Sequence, residues 1–308
     1  MAVGAAACGS TSASGSKAGP KAGSNYGAQP NSVLTAYNQT TAAKTAKVSI
    51  NEMVTATSGG TTTPVTVNGS GALSFANQTG ALTLMSGSGG SIELRVLPPD
   101  LYLKVPAQAQ GQAKVPGNKP WVKVNVDKVT QAQFGAGLSQ LSNASSSPTQ
   151  SLSYLQGVSD SSITQLGTQM IRGVPTTEFK ATVDLDKAAA KKGPQAQAAT
   201  KRIEAQIHTS SFPIQLWLDH QGRVRQVSYQ LTVPIPVPAT GSSATGSSTT
   251  SPGPSTTGPS SPPGGQVAVA QTIDFYDFGT PVTVTAPPPD QVYDVTAQAT
   301  QAATTSTT

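Results

Sequence analysis

MIRGVPTTEFKATVDL, residues 170–185, reads as the turn and second arm of a β-hairpin rather than as part of a helix. The arms, residues 164–172 and 177–185, flank Gly173-Val174-Pro175. Glycine tolerates positive φ there, and proline holds its neighbour extended, so the turn is placed on these three residues. In the second arm Phe179, Ala181, Val183 and Leu185 alternate with Glu178, Lys180, Thr182 and Asp184. A period of two gives the strand one dry and one wet face. Residues 186–192 then change to Ala and Lys and read as a helix leaving the sheet.

Upstream, residues 47–56, 64–68, 71–77, 81–86, 91–97, 101–105 and 121–126 read as successive strands of a meander, with Pro98-Pro99-Asp100 as one of its turns. Ahead of them Asn31-Ser32 is expected to cap a helix with Val33, Leu34, Tyr37 and Thr41 at helical spacing. Residues 130–157 read as two short helices. Downstream, residues 188–207 read as helical and divided at Pro194, with Lys187, Lys191, Lys192, Lys201 and Arg202 forming a solvated face. A second hairpin joins 212–218 to 223–233 over Asp219-His220-Gln221-Gly222, and Pro234, Pro236 and Pro238 are expected to end its pairing. A last strand at 266–277 returns, and residues 281–285, 287–290 and 292–295 follow it as a closing segment. The class is α+β: a curved antiparallel β-sheet, or half-barrel, with helices packed across its concave face.

The order Gly173-Val174-Pro175-Thr176, Phe179, Val183-Asp184-Leu185, an Ala/Lys helix and then Trp217-Leu218-Asp219-His220-Gln221-Gly222-Arg223-Val224-Arg225 resembles the LppX/LprG-type lipoproteins of actinobacteria. The resemblance runs from about Ser32 to Asp294 and rests on scaffold motifs without a reactive group. It implies a half-barrel similar in outline to the LolA-type carriers, with a lipid-accepting cavity between sheet and helices. On that basis the candidate lining is Leu73, Phe75, Leu82, Leu84, Leu94, Val96, Leu101, Leu103, Val122 and Val124 from the meander, with Phe179, Val183 and Leu216 from the two hairpins.

Of 308 residues only 11% are charged, the net charge is a dispersed +5, and there is one cysteine. No aromatics are interleaved with the basic stretches, which leaves nucleic-acid binding without support. Cys8 follows Ala5-Ala6-Ala7 and precedes a Gly/Ala/Ser/Lys-rich stretch, as at the end of a bacterial lipoprotein signal. Met1–Ala7 has no basic region and too short an apolar run for export, so the signal is expected to begin upstream or to have been trimmed. No other stretch is long and apolar enough to span a bilayer, so any membrane attachment is assigned to an acylated Cys8. The expected organisation is a signal remnant at 1–8, a disordered tether at 9–30, one domain at 31–295 and a disordered tail at 296–308. Within the domain, 240–264 is a low-complexity insertion.

Catalytic patterns are missing from the sequence. His208 and His220 have no Cys or acidic partners at ligand spacing, so no metal or other cofactor is expected. No G-x-S-x-G elbow with partners occurs, and Gly87-Ser88-Gly89-Gly90 lies between strands and precedes no helix. Glu178, Asp184 and Asp186 are assigned to solvent or to pairs with Lys180 and Lys187. Asn38, Asn68, Asn77 and Asn143 match the N-x-S/T pattern at the frequency a Ser/Thr-rich chain gives by chance. Two readings remain. One is a monomeric, non-catalytic envelope lipoprotein on the extracytoplasmic face of the membrane, carrying a lipid or lipoglycan-type acylated ligand and working with an envelope transporter. The other is a surface-anchored protein-binding or sensory module whose core is filled.

Overall fold

Helix α1 (Asn31–Thr41) leads into a meander of β1 (Thr45–Ser58), β2 (Thr61–Ser74), β3 (Thr79–Ser86), β4 (Ser91–Leu97), β5 (Asp100–Lys104) and β6 (Trp121–Asn125). A short helix α2 (Pro148–Ser153) continues as the 3-10 turn Tyr154–Gly157 into the hairpin β7 (Thr164–Ile171) and β8 (Val174–Asp184). Helices α3 (Leu185–Ala190) and α4 (Pro194–Ile207) precede β9 (Ser211–Leu218), β10 (Val224–Ile235) and β11 (Gly265–Tyr276), and β12 (Val292–Asp294) and α5 (Thr296–Thr305) follow. These elements come from a computed structural model that describes residues 27–58, 61–86, 90–106, 115–129, 148–207, 209–235 and 265–305.

The twelve strands of the described residues form one open, curved sheet in the order β12-β6-β5-β4-β3-β2-β1-β11-β10-β9-β8-β7. Every neighbouring pair is antiparallel except β12 with β6, so the expected antiparallel half-barrel carries one parallel edge. Strands β1 and β11 join the meander to the second set of hairpins through eleven paired positions, Lys47↔Tyr276 to Thr57↔Gln266.

The register explains where the core lies. Val48 pairs with Phe275 and Gly71, Gly71 with Leu82, Leu82 with Leu94, Leu94 with Leu103 and Leu103 with Val122. One row beyond, Ile50 pairs with Ile273, Ile273 with Val227, Val227 with Leu216 and Leu216 with Phe179. Paired residues in a sheet share a face, so these rows make one continuous apolar concave surface. Val33 and Ala36 of α1, Leu152 of α2 and Leu155 of the following turn share its core cluster. The helices therefore cover the β8–β11 half of the concave side.

Several details depart from the sequence reading. The β7–β8 turn is the pair Arg172-Gly173, with φ of 49° and 77°, and Pro175 lies inside β8 opposite Met170. Two consecutive positive-φ residues are what a two-residue hairpin loop requires. Residues 64–68 and 71–77 are not two strands but parts of β2, which runs unbroken through Gly69-Ser70-Gly71. These glycines are inward positions over which Leu84 and Leu82 lie. Strand β10 continues through Pro234, which pairs with Gln266.

Helix α1 starts at Pro30 without a side-chain cap, and it buries Val33, Ala36 and Thr40 while Leu34 is 38% exposed. The small residues allow a close approach, and the Thr40 hydroxyl accepts the Val224 N–H at 2.9 Å. The expected disordered tail begins instead with α5. Thr296, at its start, is fixed because its Oγ1 accepts the Asn125 N–H at 2.9 Å. The expected insertion at 240–264 lies outside the described residues, as do His208 and the tether before residue 27.

Candidate functional site on the concave face

Of the thirteen residues inferred from the sequence, twelve lie in the paired rows of the concave face, and Phe75, just past the end of β2, joins the same core cluster. Phe179, Val183 and Leu216 are completely buried, and Leu73, Phe75, Leu82 and Leu94 are nearly so. Phe75 also stands 6.4 Å from Phe275 between ring centroids. By contrast Leu84, Val96, Leu101, Leu103, Val122 and Val124 are only half-buried. The surface thus divides into a sealed half under the helices and a half where apolar side chains remain partly open. A second half-open band lies at the far ends of the long strands, where Val54, Val269 and Leu231 follow one another across β1, β11 and β10. Cys8 lies outside the described residues.

One row of the concave face is polar. Glu52 on β1 pairs with Gln271 on β11, which pairs with Tyr229 on β10. The Tyr229 hydroxyl donates to Gln271 Oε1 at 2.5 Å, and Gln271 Nε2 donates to Glu52 Oε2. Gln271 is buried, whereas Glu52 and Tyr229 are half-buried. Phe212 stands against Tyr229 at 5.8 Å and receives Tyr154 edge-on at 5.7 Å, so the tyrosine end of this row is roofed by the turn after α2. Burial pushes the Tyr229 phenol up to about 12 and raises that of Tyr154 as well. Burial also raises the Glu52 carboxyl, and the Gln271 hydrogen bond offsets part of that rise.

The sequence reading missed this row. The signal was in the alternation of Val48, Ile50, Glu52 and Val54, whose common parity puts Glu52 on the inner face. The raised carboxyl has a thermodynamic sign. A folded-state pKa above the ordinary 4.5 means that the native state holds the proton more tightly than the unfolded chain. The stabilisation is therefore full below that value and is lost as pH rises through the folded pKa. Glu52→Gln is expected to raise the melting temperature at neutral pH, with the gain disappearing below pH 4.5. Thermal unfolding of both proteins at the two pH values checks this; an equal difference at both would contradict it.

The acidic residues of the hairpin are structural. Asp184 caps α3 by accepting the Lys187 N–H at 3.0 Å, and Asp186 pairs with Lys201 at 2.5 Å. Lys187 donates instead to Ser159 at 2.8 Å. Asp219, the acid of the second motif, is wholly buried. Its Oδ1 accepts the backbone N–H groups of Gln221 and Arg223, and its Oδ2 accepts both Arg223 Nε and Arg225 Nε. The two guanidinium groups lie 4.7 and 4.9 Å from the Phe278 ring centre. Burial pushes the Asp219 carboxyl up, but the hydrogen bonds from Arg223 and Arg225 outweigh it and hold the group below its usual range. Among the described residues no group of three His, Cys, Asp or Glu side chains could hold a metal, and no helix is long and apolar enough to cross a membrane.

The chain is similar to the mycobacterial lipoproteins LppX and LprF. The LppX structure from Mycobacterium tuberculosis is 12% identical, with 83% of this chain and 100% of that one covered and a TM-score of 0.39. LprF from Mycobacterium bovis is 12% identical over 84% and 96% of the two chains, with a TM-score of 0.38. A LolA-superfamily protein from Nitrosomonas europaea is 9% identical over 81% and 94%, with a TM-score of 0.28. No protein-family model matches the chain. No curated protein matches it by sequence.

Proposed function

We propose that this chain is a cell-envelope lipoprotein that binds or carries a lipid, or another acylated molecule, on the concave face of its sheet, without a catalytic step. The observation that carries this reading is the grading of one apolar surface. Its rows are sealed by helices over β8–β11, yet Leu84, Val96, Leu101, Leu103, Val122 and Val124 keep part of their surface open. An acyl chain gains about 0.8 kcal/mol for each methylene it buries against such a surface. Attachment through an acylated Cys8 would hold this face close to its source of lipid, on the extracytoplasmic side of the membrane.

Steric enlargement tests the assignment. In a filled core, Val96→Phe should cost about 1–3 kcal/mol through strain. At a half-open lipid surface it is expected to cost little stability while weakening the binding of a fluorescent fatty-acyl probe. Unfolding free energy and probe affinity are measured on the same protein. A mass spectrum of lipid extracted from the chain purified from its own host supplies the parallel readout, with stoichiometric acyl lipid expected. A parent that binds no probe and carries no lipid, together with a destabilised Val96→Phe, would sink the carrier reading and favour a filled protein-binding module.

A further inference from the structure

The polar row at Glu52 crosses the surface assigned to lipid. Two apolar rows flank it. On the sealed side are Ile50, Ile273 and Val227, all nearly inaccessible; on the open side are Val54, Val269 and Leu231. Glu52 therefore stands at the boundary between the sealed and open parts of the concave face. We propose that Glu52, oriented by Gln271 and Tyr229, receives the head of the bound lipid and selects uncharged heads that donate hydrogen bonds, as the hydroxyls of acylglycerols and glycolipids do. This rests on the lipid-binding reading above and specifies its ligand class.

The direction of the hydrogen bonds sets the preference. Tyr229 donates to the Gln271 carbonyl oxygen, which turns the amide so that its N–H points to Glu52 Oε2. Glu52 Oε1 has no protein partner among the described residues. An ionised carboxylate accepts hydrogen bonds and donates none, so the open oxygen calls for a donor. Across β2 its neighbour is Val67 and across β11 it is Gln271, with Tyr229 one strand further on β10. No ion pair neutralises Glu52 among the described residues. A carboxylate or phosphate head would meet a like charge in partly dry surroundings, whereas a hydroxyl would complete the unpaired oxygen. Holding a half-buried carboxylate at neutral pH disfavours the folded state, which fits a residue placed for a ligand rather than for the core.

Competition distinguishes the two levels of the proposal. A fluorescent fatty-acyl probe is loaded at mildly alkaline pH and displaced by monopalmitoylglycerol, by palmitate or by palmitoyl lysophosphatidic acid. The glycerol head is expected to displace it at a concentration about tenfold lower than either anion. Glu52→Gln keeps the shape and an acceptor oxygen but removes the charge, and it should shrink that ratio to about threefold or less by tightening the anions. Tyr229→Phe should weaken the preference by loosening Gln271. Glu178→Gln, on the opposite face of β8, should leave it unchanged. Probe binding with no head preference, or a preference that survives Glu52→Gln, would overturn the assignment of Glu52 while the acyl site stands. No probe binding by the parent would overturn both.

Discussion

Asp219→Ala is expected to destabilise the fold by about 3–5 kcal/mol, as removal of one partner from a buried ion pair does. The side chain is inaccessible to solvent and satisfies two backbone N–H groups of its own turn and two guanidinium groups. Removing it strands Arg223 and Arg225, whose side chains are only 22% and 13% exposed, beside Phe278. It also frees the turn that Gly222 closes at a φ of 74°. Urea unfolding followed by far-UV circular dichroism measures the loss. The depressed carboxyl adds a pH signature: the stabilisation is present above the ordinary 3.8 and is lost as pH falls through the folded pKa. The parent and the alanine variant should therefore converge in stability on acidification. A loss below about 1 kcal/mol at neutral pH, the range of an exposed pair, would show that the motif does not anchor the hairpin.

The sequence was most legible where a period of two ran beside turn residues. Phe179, Ala181 and Val183 stand on the dry face as read, and β4, β5 and β6 fall within one residue of their expected bounds. The face taken by the meander's aliphatic residues was equally legible, because alternation assigns a face to every residue of a paired strand. Long-range compensation was harder to read. Gly69 and Gly71 signal a break in isolation and become part of a strand only because β3 supplies the leucines that lie over them. Pro175 likewise signals a turn, but Arg172 can adopt positive φ, and the hairpin closes two residues earlier. Glu52 was overlooked for a related reason: one polar residue in an inward row looks like an end of alternation until Gln271, more than two hundred residues later, is seen to donate to it.

The helices divide the apolar face in a way composition does not reveal. Thr40 is completely buried, and its hydroxyl accepts the Val224 N–H, fixing α1 against β10. Tyr154 and Phe212 meet edge to face over the neighbouring strands. These contacts seal one half of the concavity and leave the meander half to whatever else packs there. The same aliphatic residue types thus serve as core over β8–β11 and as a half-open surface over β4–β6. Position in the strand order decides which.

Gly71→Ala is expected to cost about 1–3 kcal/mol or more, although it adds a single methyl group. A Cβ at this position would stand 2.1 Å from the Ala81 carbonyl oxygen and 2.8 Å from Leu82 Cα. Neither is the free end of a flexible chain, so relief requires β2 and β3 to move apart where Gly71 pairs with Leu82. That shift would carry Leu82 and Leu94 with it, because their row continues across β4. Gly167 in β7 is the control, since a Cβ there meets nothing within 4 Å and its φ is not positive. Gly167→Ala should fall within about 0.5 kcal/mol of the parent or gain slightly from the lower entropy of its unfolded chain. Denaturant unfolding of the three proteins, with unchanged m-values, checks the comparison. Equal stability of the two variants would mean that β2 and β3 can separate freely at Gly71, and that the close approach there does not hold the bend of the sheet.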